Sequence, residues 1–128
     1  MNTDKIEKIY HPKYNIYIID FKGLDEDNIL ELFKKSTELA HKDNRTYGTI
    51  YCTEGGVATP KIRQLGKKLS IDSEKTGLYI GSVVYGVNTF IKMVAKLSNK
   101  KVQFGKNKED CIKILHEMFL RKRPNHLP

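Results

Sequence analysis

The sequence predicts a single α/β domain with the element order ββαβαβαβα and a mainly parallel sheet, and three observations predict it. Short β-rich apolar runs alternate with amphipathic segments of about ten to fifteen residues across short connections, the pattern of right-handed βαβ units. Leu78 to Val84 (LYIGSVV) is apolar at nearly every position, as a strand covered on both faces must be. Tyr47 to Cys52 (YGTIYC) runs through the glycine-hinged TEGGVAT into Pro60, a strand-loop-helix unit of the kind that builds sites at the carboxyl end of an open sheet.

Taken in order, Lys5–Tyr10 and Tyr14–Phe21 read as strands of an antiparallel hairpin, joined at His11-Pro12-Lys13 because proline cannot extend either ladder. After Gly23, Asp25 caps a helix with Glu26 and Asp27 at its positive end. Ile29, Leu32, Phe33, Leu39 and Ala40 form its apolar face, and it ends near His41–Arg45. The strand Tyr47–Cys52 follows, then a helix that Thr59 caps and Pro60 opens, with Ile62, Leu65 and Leu69 inward. Leu78–Val84 belongs in mid-sheet. Tyr85-Gly86-Val87-Asn88 turns into a helix carrying Phe90, Ile91, Val94, Ala95 and Leu97, and Lys101–Phe104 is a short last strand. Asn107, with Asp110 three residues on, caps a final helix whose face is Cys111, Leu115 and Phe119. Arg121-Lys122-Arg123 suits its carboxyl end and Pro124 stops it, so residues 1–123 form the domain and Pro124–Pro128 a frayed tail.

The chain has 128 residues, enough for one core, and no apolar run approaches the roughly 18 residues of a membrane helix. The start MNTDKIEK lacks the apolar region of a signal peptide, so a cytoplasmic protein is expected. Cys52 and Cys111 show no metal or redox spacing and read as buried thiols. His11, His41, His116 and His126 share no spacing and read as surface or capping histidines. No metal or cofactor fingerprint is present, neither glycine motif of nucleotide binding occurs, and no nucleophile–base pair can be picked out, so an enzyme is not expected. The net charge of +8 is uneven: residues 61–108 hold eleven Lys and Arg against Asp72 and Glu74. That asymmetry fits an anionic partner or, the more ordinary reading, solvated lysine-rich helix faces.

Read together, YNIYIIDFKGL, YCTEGGVATPKI and GSVVYGVNTFIKMVAKLSNKKVQFGKNKEDCIKIL, with their spacing, resemble the small stand-alone STAS-like proteins of bacteria. These share the fold of the anti-sigma-factor antagonists, the cytoplasmic domains of sulfate transporters and the CRAL-TRIO lipid-transfer domains. The resemblance covers about residues 4–120 and is strongest at SNKKVQFGKNKED. It implies a sheet wound as a βα superhelix and a regulatory or binding role. In the anti-sigma antagonists a serine or threonine at the helix start after the central strand is phosphorylated within an Asp-Ser-small-Gly motif. Here that stretch is Cys52-Thr53-Glu54-Gly55-Gly56, which has a hydroxyl and glycines but no Asp-Ser pair, so the location carries over and the phosphorylation does not.

The candidate site is therefore Thr53, Glu54, Gly55, Gly56 and Thr59, with hydroxyls and backbone N–H groups converging before a helix to meet an anion or a partner. An ordinary turn with a threonine cap is the competing reading. A second loop at the same sheet end adds Tyr85, Asn88 and Lys92 to Ser82, against the plainer reading of Ser82 as a small core residue, Asn88 as a cap and Lys92 as solvated. Asp20, at a strand end, reads as facing water. Alternation places Tyr17, Tyr47 with Tyr51, and Tyr79 each on one side of their own strand, so a single tyrosine-bearing face can form, either a contact face or core aromatics with hydroxyls at the rim. The expected function is a non-enzymatic regulatory or protein-interaction module acting through the loop after the central strand, with a protein partner. A carrier of a small apolar or anionic lipid-like ligand is the alternative, and weak non-specific nucleic-acid binding a second one, since no recognition motif for specific nucleic acid appears.

Overall fold

The computed structural model describes residues 5–54, 59–86 and 102–122. The elements are β1 (Ile6–Tyr10), β2 (Asn15–Asp20), α1 (Glu26–Asp43), β3 (Tyr47–Cys52), α2 (Pro60–Lys75), β4 (Tyr79–Tyr85), β5 (Val102–Phe104) and α3 (Lys108–Lys122). They are the expected ones at nearly the expected bounds. The helix expected around Phe90–Leu97 and the tail Pro124–Pro128 lie outside the described residues.

The five strands lie side by side in chain order, β1 antiparallel to β2 and every later pair parallel. Sequential order has a physical consequence. Each right-handed crossover steps one strand along in the same direction, so the helices that make the crossovers fall on one face of the sheet. Accordingly α1 and α2 pack side by side, and a Cβ placed on Gly66 would sit 3.7 Å from the Phe33 ring. Helix α3 follows the last strand and closes no crossover, which leaves it free to cover the opposite face against β3 and β4.

Two apolar clusters result. Tyr17, Ile19, Phe21, Tyr47 and Tyr79 meet Ile29, Leu32, Ala40 and Ile62 on the α1/α2 side. Ile16, Ile18, Ile50, Ile80 and Val83 meet Cys111 and Leu115 on the α3 side, with Tyr14 at one end. Both cysteines are buried and free. The α3 side packs so closely that a Cβ on Gly48 would overlap the Leu115 side chain.

The caps are the expected ones. Asp25 accepts from the Asn28 N–H at 2.9 Å, Thr59 from the Ile62 N–H at 3.2 Å and Asn107 from the Asp110 N–H at 2.8 Å. Helix α1 ends at Asn44, the one described non-glycine residue with positive φ (52°), a conformation asparagine tolerates.

The tyrosine-bearing face exists, but α1 and α2 cover it. Tyr17 and Tyr47 stand edge to face at 5.9 Å, Tyr47 and Tyr79 are 5.5 Å apart, and the Tyr51 ring stacks on Phe21 at 5.4 Å. It is core, not a contact surface.

Candidate functional site

The carboxyl ends of β2, β3 and β4 bring Asp20, Cys52 and Tyr85 into one cross-strand row, Asp20 opposite Cys52 and Cys52 opposite Tyr85. The chain leaves this row through two loops that touch. Both the N–H and the hydroxyl of Thr53 donate to the Tyr85 carbonyl, at 3.1 and 3.2 Å. Gly86 follows with φ of +84°, and a Cβ there would lie 2.8 Å from the Glu54 nitrogen. Only a glycine combines that backbone conformation with so close an approach. The described starts of the two loops, Thr53–Glu54 and Tyr85–Gly86, therefore meet at the end of the sheet.

Within it the residues play different parts. The Thr53 hydroxyl is half-buried and turned inward on Tyr85, whereas Glu54 is exposed. Thr59 is the cap of α2, its side-chain oxygen occupied by the Ile62 N–H. Gly55, Gly56, Asn88 and Lys92 lie outside the described residues. Ser82 is not at the loop at all. It is buried within β4, its hydroxyl 2.6 Å from that of Thr49 and hydrogen-bonded to the Tyr79 hydroxyl, so it serves the core beneath α2.

Tyr85 packs partly against the α3-side cluster, and its pKa is raised by burial, by the neighbouring Cys52 thiol and by the Asp20 charge. Burial pushes the Cys111 thiol up to about 11, reinforced by Asp110 beside it, so at neutral pH it is a protonated, unreactive group. Asp20 faces water as expected, accepting from the Lys22 N–H at 2.9 Å with Lys5 at 3.8 Å.

Two polar clusters escaped the sequence reading because each joins residues from different elements. Tyr14, 102 positions from His116, shares a 2.7 Å hydrogen bond with its Nδ1, stacks on His11 at 4.3 Å and meets Phe119 at 4.5 Å. His41 Nε2 lies 3.3 Å from the Tyr47 hydroxyl and 3.4 Å from Ser73 Oγ. His41 and His116 are therefore partly buried hydrogen-bonding groups of the fold, where the sequence suggested plain surface or capping roles. His126 lies outside the described residues. At the amino end of the sheet, Arg45 donates to Asn15 and to the carbonyls of His11 (2.9 Å) and Pro12 (2.8 Å), tying the β1–β2 turn to the start of β3.

Among the described residues no three His, Cys, Asp or Glu side chains stand together as a metal would require. Among them, too, no helix is long and apolar enough to cross a membrane.

No family model matches this sequence, and no curated protein matches it significantly. Solved structures do share its fold. A serine-to-glutamate variant of Moorella thermoacetica RsbS superposes with a TM-score of 0.62 at 11% identity, over 89% of this chain and 97% of that one. A component of the stressosome, described as a signal integration and transduction hub, superposes at 0.57 with 11% identity, over 88% and 97%. The chain has a STAS-like fold, as its sequence motifs suggested.

Proposed function

We propose that the protein is a non-enzymatic regulatory module that engages another protein through the joined loops at the carboxyl end of its sheet. The carrying observation is the double hydrogen bond from Thr53 to the Tyr85 carbonyl. It ties Thr53, where the loop begins, to β4, while Thr59 caps α2, and Glu54 beside Thr53 is exposed for a partner to meet. Support comes also from the fold, which is shared with a component of an assembly whose description is signal integration. At 11% identity that likeness supplies the architecture alone. Such a role suits a cytoplasmic protein.

The test is capture of host proteins on the immobilised chain, wild type against Glu54→Lys. Reversing an exposed charge changes recognition with little effect on stability. The reading requires that at least one protein be retained by the wild type and lost by the variant. A partner held equally by both moves the site elsewhere.

A further inference from the structure

Helix α2 departs from the electrostatic pattern of its neighbours. The first turn of α1 carries Glu26 and Asp27 and that of α3 Glu109 and Asp110, acids at the positive ends of their dipoles. The first turn of α2 holds no acid and instead carries Lys61 and Arg63, both exposed. Lys67 and Lys68 extend the charge along the helix, and no described ion pair engages any of the four. Cations at the positive end of a helix weaken it, so the pattern is not explained by the stability of α2.

An apolar residue stands one turn beyond Lys67 and Lys68. Ile62 faces the core, and Ile71 is nine positions on, which at about 100° per residue places it half a turn round, pointing away from the sheet. It is 50% exposed, one of three large apolar side chains so exposed among the described residues. With Gln64, Lys67, Lys68 and Asp72 it lines a shallow groove of about 260 Å³. An apolar centre inside a charged rim is the anatomy of a protein contact. Nucleic acid is a poorer fit, since Ile71 offers nothing to a phosphate backbone. A second copy is a poorer fit too, because chains of net charge +8 repel one another.

We propose that the outer face of α2 is a docking surface for an acidic, amphipathic segment of a partner protein, apolar side chains over Ile71 and carboxylates over Lys67 and Lys68. This rests on the interaction reading above and names the partner's chemistry, using residues distinct from the loop.

The experiment is a fluorescence-anisotropy titration of the full chain with a labelled synthetic amphipathic helix bearing a leucine stripe flanked by glutamates. Ile71→Ser, and separately the pair Lys67→Glu with Lys68→Glu, weaken binding by at least about tenfold. Lys34→Glu with Lys42→Glu, the same charge change on exposed positions of α1, alters it by no more than about twofold. All the substituted side chains are exposed, and unchanged thermal melts establish that the variants fold. Equal weakening by the α1 pair, or absence of binding, overturns the inference. So does tighter binding of duplex DNA that survives about 200 mM salt, or a dimer in sedimentation equilibrium that Ile71→Ser dissolves. The two readings fail separately: a natural partner lost with Glu54→Lys but kept by every α2 variant leaves the loop standing and removes this surface, and the converse removes the loop.

Discussion

Thr53 is bound twice to a single acceptor, its N–H and its hydroxyl both ending on the Tyr85 carbonyl. Of the two bonds only the second belongs to the side chain, so it can be removed without disturbing the backbone. Thr53→Val keeps the shape and deletes the hydroxyl, and should cost about 1 kcal/mol in urea unfolding, the usual worth of one such bond. A loss beyond about 3 kcal/mol would make the loop part of the core and remove the ground for treating it as a presented surface.

Gly48 and Leu115 occupy one space on the α3 face. Gly48→Ala should destabilise by about 1–3 kcal/mol through overpacking and Leu115→Ala by about 2–5 through a cavity. The double variant should be more stable than the sum of the two predicts, because the new methyl fills part of the vacated volume. Additive losses in a double-mutant cycle would mean the two residues do not meet.

The hydroxyl of Ser82 is shared by Thr49 and Tyr79. Ser82→Ala leaves buried groups short of a partner and should cost about 1–3 kcal/mol, with no loss of partner capture, since Ser82 lies inside the sheet. Loss of capture at unchanged stability would return Ser82 to the functional loop.

At low pH one sensitive residue is Asp43, whose pKa is held below its ordinary value by hydrogen bonds from Tyr17 and Lys8. A depressed folded pKa stabilises the fold above the unfolded value of about 4, and that stability is lost as pH falls through the folded one. Tyr17→Phe should therefore lower stability at pH 7 and flatten its fall on acidification. Parallel acid-denaturation profiles for the two proteins would show that the pair contributes nothing.

At high pH the tyrosines take over. Burial raises the pKa of Tyr14, Tyr17, Tyr51, Tyr79 and Tyr85, and pushes that of Tyr47 up to about 12. A raised folded pKa gives stability that is intact below the unfolded value of about 10 and is lost as pH climbs through the folded value. Tyrosinate absorbance should lag behind free tyrosine above that point and then rise in step with loss of helical circular dichroism. A smooth titration with the fold intact would mean that the hydroxyls reach solvent.

What the sequence determined by itself is what local patterning dictates. Helix spacing, the caps Asp25, Thr59 and Asn107, the proline turn and the unbroken apolar run in β4 each bind neighbours in the chain, so each could be read there. The resemblance of its motifs to STAS-like proteins then implied the winding of the sheet, and the strand order itself is seen in the structure. Tertiary structure decided what depends on distant partners or on a break in period. Strict alternation would set Tyr79 and Ser82 on opposite faces, yet the register shift between β3 and β4, with Gly81 at a φ of 150°, returns both to the α1/α2 side. The meeting of Tyr14 with His116 and the covering of the tyrosine face depend on where whole helices pack. The exposed Ile71 among cations was visible as letters, but its meaning depended on knowing which side of α2 the sheet occupies, because a helix has no outside until something covers its inside.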